Sequence, residues 1–137
     1  MASSTTSSPA ASTSKNAGKA DWFVASFCTN HMTGDRTLIS DMVPVSNQVV
    51  QEGDAAGMQV CGRGSVNTET VVLPDVWYVP GLNQNLVSMG QLTEYPDLVV
   101  EMGGGVCHIS RHGSVLGRAP RRSDRKYAVD FLKIELN

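Results

Sequence analysis

The chain has 137 residues, a formal net charge of −2 and 41% hydrophobic residues with no long uninterrupted apolar run. This length fits one domain with a single core, and the charge excludes a general attraction to phosphate backbones or anionic membranes. The three cysteines are odd in number and widely spaced, unlike the disulfide framework of a small secreted domain. We therefore expect a cytoplasmic protein, free to enter the nucleus, that does not span a membrane.

Residues 1–20 are rich in Ser, Thr and Ala and contain no large apolar side chain after Met1. Ordering such a segment costs backbone entropy and buries nothing in return. The segment also lacks the apolar centre of a secretory signal, and two lysines are too few for a transit peptide. We predict a disordered tail over residues 1–20 and one folded domain over residues 21–137.

From Trp22 onward, short β-like runs are separated by Gly, Pro and Asn. Strands are predicted at 22–24, 45–51, 58–61, 65–73, 76–79, 98–102, 106–110, 114–116 and 127–131. Within 65–73, apolar and threonine residues recur at every second position, which is typical of a half-buried strand. Many short strands at this spacing predict a β-barrel or a β-sandwich.

Two segments favour helices instead. Residues 35–42 predict a short helix with Asp35 as its N-cap. Leu82, Leu86, Met89 and Thr93 recur at intervals of four, three and four residues, which is the stripe of an amphipathic helix, and Pro96 would end it.

The segment from Trp22 to Asp35 reads WFVASFCTNHMTGD. It resembles the motif of copia-type retrotransposon polyproteins, in which a hydrophobic strand is followed by Asp-Ser-Gly, Cys or Ala, Thr, any residue and His-Met-Thr-Gly-Asp. Further similar segments are GRGSV at 62–66, YVPGL at 78–82, NLVSMGQL at 85–92, GVCHI at 105–109 and YAV at 127–129. The resemblance implies a small, closed, mostly antiparallel β-barrel of the retropepsin type, with one or two short helices.

The same resemblance bears on chemistry. In that family the aspartate pairs with its copy in a second protomer, and the two carboxylates share a proton and activate a water. The aspartate of the family's Asp-Ser-Gly motif corresponds to Ala25 and the glycine to Phe27, with Ser26 between them. Because a methyl group neither accepts a proton nor holds a water, the resemblance implies a degenerate catalytic motif.

We therefore expect no enzymatic activity and no cofactor, and a domain that binds another protein or homodimerises. The alternatives are a residually active aspartic peptidase, a nucleic-acid accessory domain, and a decayed fragment without a role. Asp21 lies roughly 13 Å from Ala25 along an extended strand, and helix capping or solvation explains Asp35 and Asp41. Ser26 has only His31 nearby in sequence and no orienting acid, which makes a weak triad.

Two further sets of residues suggest binding chemistry. Zinc ligand types occur at Cys28, His31, Cys107, His108 and His112, although a buried structural role is the stronger interpretation. Six basic residues in one stretch would contact phosphates if they shared a face: Arg111, Arg118, Arg121, Arg122, Arg125 and Lys126. No aromatic side chain is interleaved with them to stack bases, so a solvated loop is the stronger interpretation.

Aromatic side chains are the remaining candidates for a contact surface. Trp77 and Tyr78 are adjacent, so in a strand only one of them points into the core and the other is left for an interface. Phe27 is expected at the floor of the former catalytic cleft, where two protomers would meet. The sequence thus predicts interface roles for Phe27 and for one of Trp77 and Tyr78.

Overall fold

The computed structural model describes residues 21–51, 53 and 55–135. Its strands are β1 (Trp22–Ala25), β2 (His31–Thr33), β3 (Ile39–Pro44), β4 (Gly62–Asn67), β5 (Val71–Tyr78), β6 (Asn85–Ser88), β7 (Leu98–Gly103), β8 (Val106–Arg111), β9 (Ser114–Pro120) and β10 (Phe131–Lys133). A 3₁₀ turn covers Arg36–Leu38 and a one-turn helix, α1, covers Met89–Leu92. The predicted tail, residues 1–20, and the last two residues of the predicted domain lie outside the described residues.

The strands form one curled sheet. Its order is β1-β6-β2-β5-β10-β9-β8-β7, with β4 also paired to β5 and β3 paired to β4. Most ladders are antiparallel, but β1 pairs with β6, β2 with β5 and β10 with β5 in parallel. Isolated bridges from Phe23 to Ala128 and from Arg121 to Tyr127 join β1 to the end of β9. The prediction of a mostly β, small barrel-like fold is confirmed.

Two buried clusters fill the curled sheet. The first contains Leu73, Ile109 and Leu132, each at most 1% exposed. The second lies under the carboxyl end of β1 and is built by nine buried residues, Ala25, Cys28, Met32, Val50, Ala55, Val60, Val79, Leu82 and Leu86. Each fully buried aliphatic side chain of this kind contributes about 1.5–3 kcal/mol relative to exposure. Both clusters therefore hold the sheet in its curled shape.

Several predicted elements differ from the structure. The predicted strand at 65–73 is a hairpin, because Thr68 N–H donates to the Val71 carbonyl (2.8 Å) and Val71 N–H donates to Thr68 Oγ1 (3.0 Å). Because of the turn, the buried residues are Val66 in β4 and Val71 and Leu73 in β5. The period-2 pattern of the sequence therefore covers two strands. Residues 45–51 and 58–61 share backbone hydrogen bonds, such as Val60 N–H to the Gln48 carbonyl (2.9 Å), but they form the isolated bridge Val49–Gln59 instead of two strands. The predicted strand at 127–131 is two bridges followed by β10.

The predicted helices are also shortened. Asp35 does cap a helical turn, since its side chain accepts from Thr37 N–H, but β3 begins directly afterwards at Ile39. The helix predicted from the stripe that begins at Leu82 is wrong over its first half, because residues 85–88 form β6. All four residues of β6 are buried between β1 and β2, so tertiary pairing overrides the helical spacing. Only the last turn, α1, is helical.

Gly34 allows a close approach between two distant segments of the chain. A Cβ built at Gly34 would overlap the Leu82 carbonyl oxygen and lie 2.7 Å from its carbonyl carbon. The obstacle is backbone, which cannot rotate away as a side chain can. The glycine that follows His-Met-Thr is therefore required by packing against the Pro-Gly-Leu turn.

We predict that Gly34→Ala destabilises the protein by at least about 3 kcal/mol, because a backbone clash forces two segments apart. Urea denaturation followed by circular dichroism measures the change. Gly90→Ala is the matched control, since its Cβ would meet only Ser88 Oγ at 3.7 Å and Ala favours a helix. A Gly34→Ala variant as stable as Gly90→Ala would contradict the close approach.

Candidate functional site: the degenerate motif and its polar support

The segment 25–27 lies where β1 ends and the chain bends. Ala25 is the last residue of β1, lies opposite Ser88 in the parallel ladder with β6, and is 7% exposed. Its methyl group belongs to the second buried cluster, together with Val50 and Ala55 from the segment 45–61. Position 25 is thus part of an apolar core.

The next two residues face solvent. Ser26 is exposed, and the Phe27 side chain is 45% exposed. The Phe27 ring lies beside Gly53, where an added Cβ would stand 3.7 Å from it. Phe27 is not among the residues with a left-handed backbone, so the bend does not need the glycine of the family motif. Phe27 is therefore an accessible aromatic beside the segment 45–61.

Two of the three alternative carboxylates have partners elsewhere in the fold, and the third is exposed. Asp21 forms an ion pair with Arg122, with 3.5 Å between Oδ2 and the guanidinium. Asp35 accepts from Thr37 N–H (3.0 Å) as the cap of the 3₁₀ turn. Asp41 is exposed in the bulge of β3 with φ of 56°. None of these roles needs a catalytic function to explain it.

Behind Ala25, a buried polar network joins β2 to β6 and α1. His31 N–H donates to Gln91 Oε1 (2.7 Å), and the ring Nδ1 accepts from Ser88 N–H (2.9 Å). Ser88 Oγ donates to the Cys28 carbonyl (2.7 Å) and accepts from Gln91 N–H (3.0 Å). These partners are 57–60 residues apart except within the helix cap. The network fixes the chain directly after the segment 25–27, at Cys28 and His31.

A second set of bonds continues the network along β2. Thr33 Oγ1 donates to Asn85 Oδ1 (2.6 Å) and accepts from Asp35 N–H (3.0 Å). Val79 N–H donates to the Thr33 carbonyl (2.9 Å), and Asn85 Nδ2 donates to the Asp21 carbonyl (3.1 Å). The sequence motifs at 31–35 and 78–92 are therefore two halves of one bonded structure.

Sequence reasoning missed these structural roles of Thr33, Asn85, Ser88 and Gln91. The available signal was that the motifs at 31–35 and 85–92 both contain polar residues. The sequence did not reveal the hydrogen bonds between them, because the partner of each residue lies in the other motif.

His31 is kept neutral by its surroundings. Burial lowers its pKa from 6.5 to about 3. Because Nδ1 accepts a hydrogen bond from Ser88, the proton of the neutral ring is on Nε2. With its Nδ1 bonded to the backbone of β6, the ring is a structural link, while Ser26 is exposed. The weak Ser26–His31 pairing thus gains no support.

The zinc candidates are divided between different parts of the fold. Cys28 belongs to the second buried cluster and Cys107 to the first. Burial raises the pKa of both thiols, which disfavours the thiolate that binds metal. His108 is in the middle of β8, and the exposed His112 lies 3.5 Å from Asp97. Over residues 21–51, 53 and 55–135, no group of three His, Cys, Asp or Glu side chains could hold a metal ion.

The basic stretch is largely matched by acidic side chains. Arg111 lies 3.2 Å from Asp97, Arg118 pairs with Asp130, and Arg122 pairs with Asp124 (3.1 Å) as well as with Asp21. Arg122 and Lys126 also lie over the Phe23 ring, 5.2 and 5.3 Å from its centre. Arg121 and Arg125 are exposed. Basic residues of this stretch therefore hold its loop against Phe23 of β1, and their acidic partners interrupt the positive charge of the surface.

Trp77 and Tyr78 are both half-buried at the end of β5. Trp77 packs against the second buried cluster. Adjacent residues of a strand point to opposite faces, so Tyr78 lies on the other side of the sheet. Neither ring is fully enclosed, and the interface role predicted for one of them stays a prediction.

A curled, mostly β sheet whose segments 31–35 and 78–92 are joined by buried hydrogen bonds is the architecture of a small β-barrel domain. The chain belongs to the family described as the Pol polyprotein, beta-barrel domain, whose model matches residues 22–95. That match covers β1 to β6 and α1 and leaves β7 to β10 outside it. No helix within the described part of the chain is long and apolar enough to cross a membrane.

The chain is also similar to the protein named "Putative transposon Ty5-1 protein" of Saccharomyces cerevisiae. The two are 38% identical over 69 residues, which are 50% of this chain and 47% of the yeast protein. The chain thus spans about half the length of that relative. No solved structure matches the chain. The resemblance to a retrotransposon polyprotein is confirmed at the level of the Pol β-barrel domain.

We predict that His31 makes stability depend on pH. Its folded pKa lies below its unfolded value, so the unfolded chain takes up this proton first as pH falls. The stabilisation is complete above pH 6.5 and is lost toward pH 3, at up to about 1.4 kcal/mol per pH unit.

Urea denaturation between pH 7.5 and 4.5 measures this slope. In His31→Asn, the amide oxygen still accepts from Ser88 N–H but does not titrate, so the fall with pH becomes shallower than in the wild type. His112→Asn is the control, because His112 is exposed and its left-handed backbone suits Asn. Equal slopes for the two variants would show that His31 does not carry the effect.

Proposed function

We propose that this chain is a retrotransposon Pol-derived, aspartic-protease-like β-barrel that no longer hydrolyses peptides and acts by binding protein. The observation that carries this proposal is the enclosure of Ala25 in an apolar cluster. A catalytic dyad needs two carboxylates and a water at this position. Here the position offers a methyl group among Val50 and Ala55, with no proton acceptor of its own.

The binding role is supported by Phe27. A ring that is 45% exposed, directly after the enclosed Ala25, is costly to leave in water and is typical of contact surfaces. The polar network at His31 and Ser88 holds this loop in place from behind. A rigid loop that presents an aromatic side chain loses little entropy on binding.

The nucleic-acid alternative has less support. Counterion release requires lysines and arginines that are free to contact phosphates. Arg111, Arg118 and Arg122 each have an acidic partner. The basic stretch thus has a role within the fold, and the proposal remains protein binding.

The enclosure of Ala25 is tested with Ala25→Asp. A carboxylate in this apolar cluster costs at least about 2 kcal/mol of unfolding free energy at pH 7. Ser26→Asp is the matched control, because it places the same group one residue further, at an exposed position. Urea denaturation at pH 7 should separate the two variants clearly. Equal stability would show that position 25 is open to water, as a catalytic site requires.

The loss of hydrolysis is tested with the wild-type protein and a peptide library between pH 3 and pH 7. We expect no cleavage above a buffer blank. Turnover that disappears when Asp21, Asp35 or Asp41 is replaced by Asn would overturn the proposal. Cleavage that survives all three replacements and still follows the protein through a further chromatographic step would also contradict the loss of hydrolysis.

Binding through Phe27 is tested by affinity capture from the native extract. Phe27→Ala should lose the partner that the wild type retains. Val43→Ala is the control, because Val43 is an exposed apolar residue, 57% accessible, on β3. Loss of the partner in both variants, or in neither, would count against Phe27 as the contact.

A further inference from the structure

Within the described part of the chain, the strand β7 is an edge of the sheet that no other strand covers. It is the last strand in the sheet order, and over residues 21–51, 53 and 55–135 its only ladder is with β8. That ladder runs through six consecutive residue pairs, from Leu98–Arg111 to Gly103–Val106, without a bulge. An exposed, regular edge of this kind is a template for pairing with another strand.

The edge strand β3, in contrast, is blunted. Its ladder with β4 is interrupted between Ser40 and Val43, Asp41 has a left-handed backbone, and the strand ends at Pro44. Bulges, inserted charges and proline are the usual devices that stop a strand edge from pairing. β7 contains no proline, lysine or bulge, and its single charged residue is Glu101. Among the described strands, the edges β3 and β7 therefore differ in their capacity to pair, and the third edge, β1, is joined to Ala128 by the bridge from Phe23.

The backbone groups of β7 that face away from β8 follow from the hairpin. Gly104 and Gly105, with φ of 62° and 80°, form a two-residue turn, so the flanking pair Gly103–Val106 exchanges hydrogen bonds. Hydrogen-bonded and non-hydrogen-bonded residue pairs then alternate along the ladder. The backbone N–H and C=O groups of Leu98, Val100 and Met102 therefore point away from β8. Leu98 N–H accordingly donates to the Tyr95 carbonyl (3.1 Å) rather than to β8.

Apolar side chains are exposed at this edge. Val99 is 48% exposed and Met102 is 45% exposed. Val99 lies in register with Ser110 of β8, which lies in register with Val115 of β9, itself 53% exposed. Three of the large exposed apolar side chains of the described residues thus lie on β7 and β9.

We propose that a second copy of this chain pairs with β7, antiparallel and in register about a two-fold axis at Val100. Val100 then faces its own copy, Leu98 faces Met102, and Val99 faces Glu101. The outward N–H and C=O of Val100 bond to their copies, and Met102 N–H bonds to the Leu98 carbonyl on each side. The Leu98 N–H that is already used inside the chain is not required.

The strand's own sequence favours this register over the two registers next to it toward Gly103. A two-fold axis at Glu101 would place two carboxylates directly opposite each other, which is destabilising. An axis between Val100 and Glu101 would pair Val99 with Met102, whose side chains lie on opposite faces of the sheet. With the axis at Val100, apolar residues meet apolar residues on the inner face, and each carboxylate faces a valine. This self-complementarity identifies a second copy as the partner.

The inference rests on the proposed binding role and names one partner for it, but it uses a surface distinct from Phe27. It does not depend on the loss of hydrolysis at Ala25. If the edge variants below fail while Phe27→Ala still loses a partner, the edge assignment is wrong and the proposed function stands.

The test uses the full chain in sedimentation equilibrium at low salt. Val99→Glu places a carboxylate opposite Glu101 of the other copy at both symmetric positions, and we expect the dimer to weaken by about tenfold. Val99→Lys exposes the same strand position but places a cation there, so the dimer should be at least as strong as in the wild type. The difference between these variants should shrink at high salt, because surface charges are screened.

Val43→Glu and Val43→Lys on the blunted edge are matched controls that should leave the dimer unchanged. Val100→Pro removes the central outward N–H, which β8 does not use, so it should abolish the dimer and keep a folded monomer by circular dichroism. If Val100→Pro unfolds, the Val99 pair alone decides. A wild type that is monomeric at all concentrations, or a dimer equally strong in Val99→Glu and Val99→Lys, would overturn the proposal.

Discussion

The structure depends on the contact between the His-Met-Thr-Gly segment and the segment 78–92. Gly34 lies against the Leu82 carbonyl, and Thr33 and His31 bond to Asn85 and Ser88. Because β2 lies between β5 and β6, this contact holds the centre of the sheet. Buried polar groups of this kind are stable only when each finds its partner, so the network specifies one arrangement of these strands. The enclosed Ala25 and the exposed Phe27 are both positioned by it.

The residues of the 31–35 motif thus have a structural role of their own. His31 is neutral and is bonded to backbone and amide groups. This framework is complete with an alanine at position 25, because none of these hydrogen bonds involves the side chain of that residue. The forces that fold this scaffold are therefore separate from any chemistry that it carries.

The edges of the sheet bear on how the domain meets other molecules. β1 is covered by the bridge from Phe23 to Ala128, and β3 is interrupted by its own bulge. β7 has neither form of protection among the described residues. An exposed strand edge and an exposed aromatic loop are independent surfaces, and each carries its own physical reason for association.

The sequence by itself determined the β class, the cap at Asp35, the family motif and the absence of a carboxylate at position 25. These features are local, since a turn, a cap or a side-chain type can be read from neighbouring residues. Only the tertiary structure decided that residues 85–88 form a strand and that 65–73 is a hairpin. It also decided the three parallel pairings, which are β1 with β6, β2 with β5 and β10 with β5. It also enclosed Ala25 with residues from 45–61 and gave His31 its partners. The physical reason is distance along the chain: these contacts join residues far apart in sequence, and local periodicity carries no record of which segments meet.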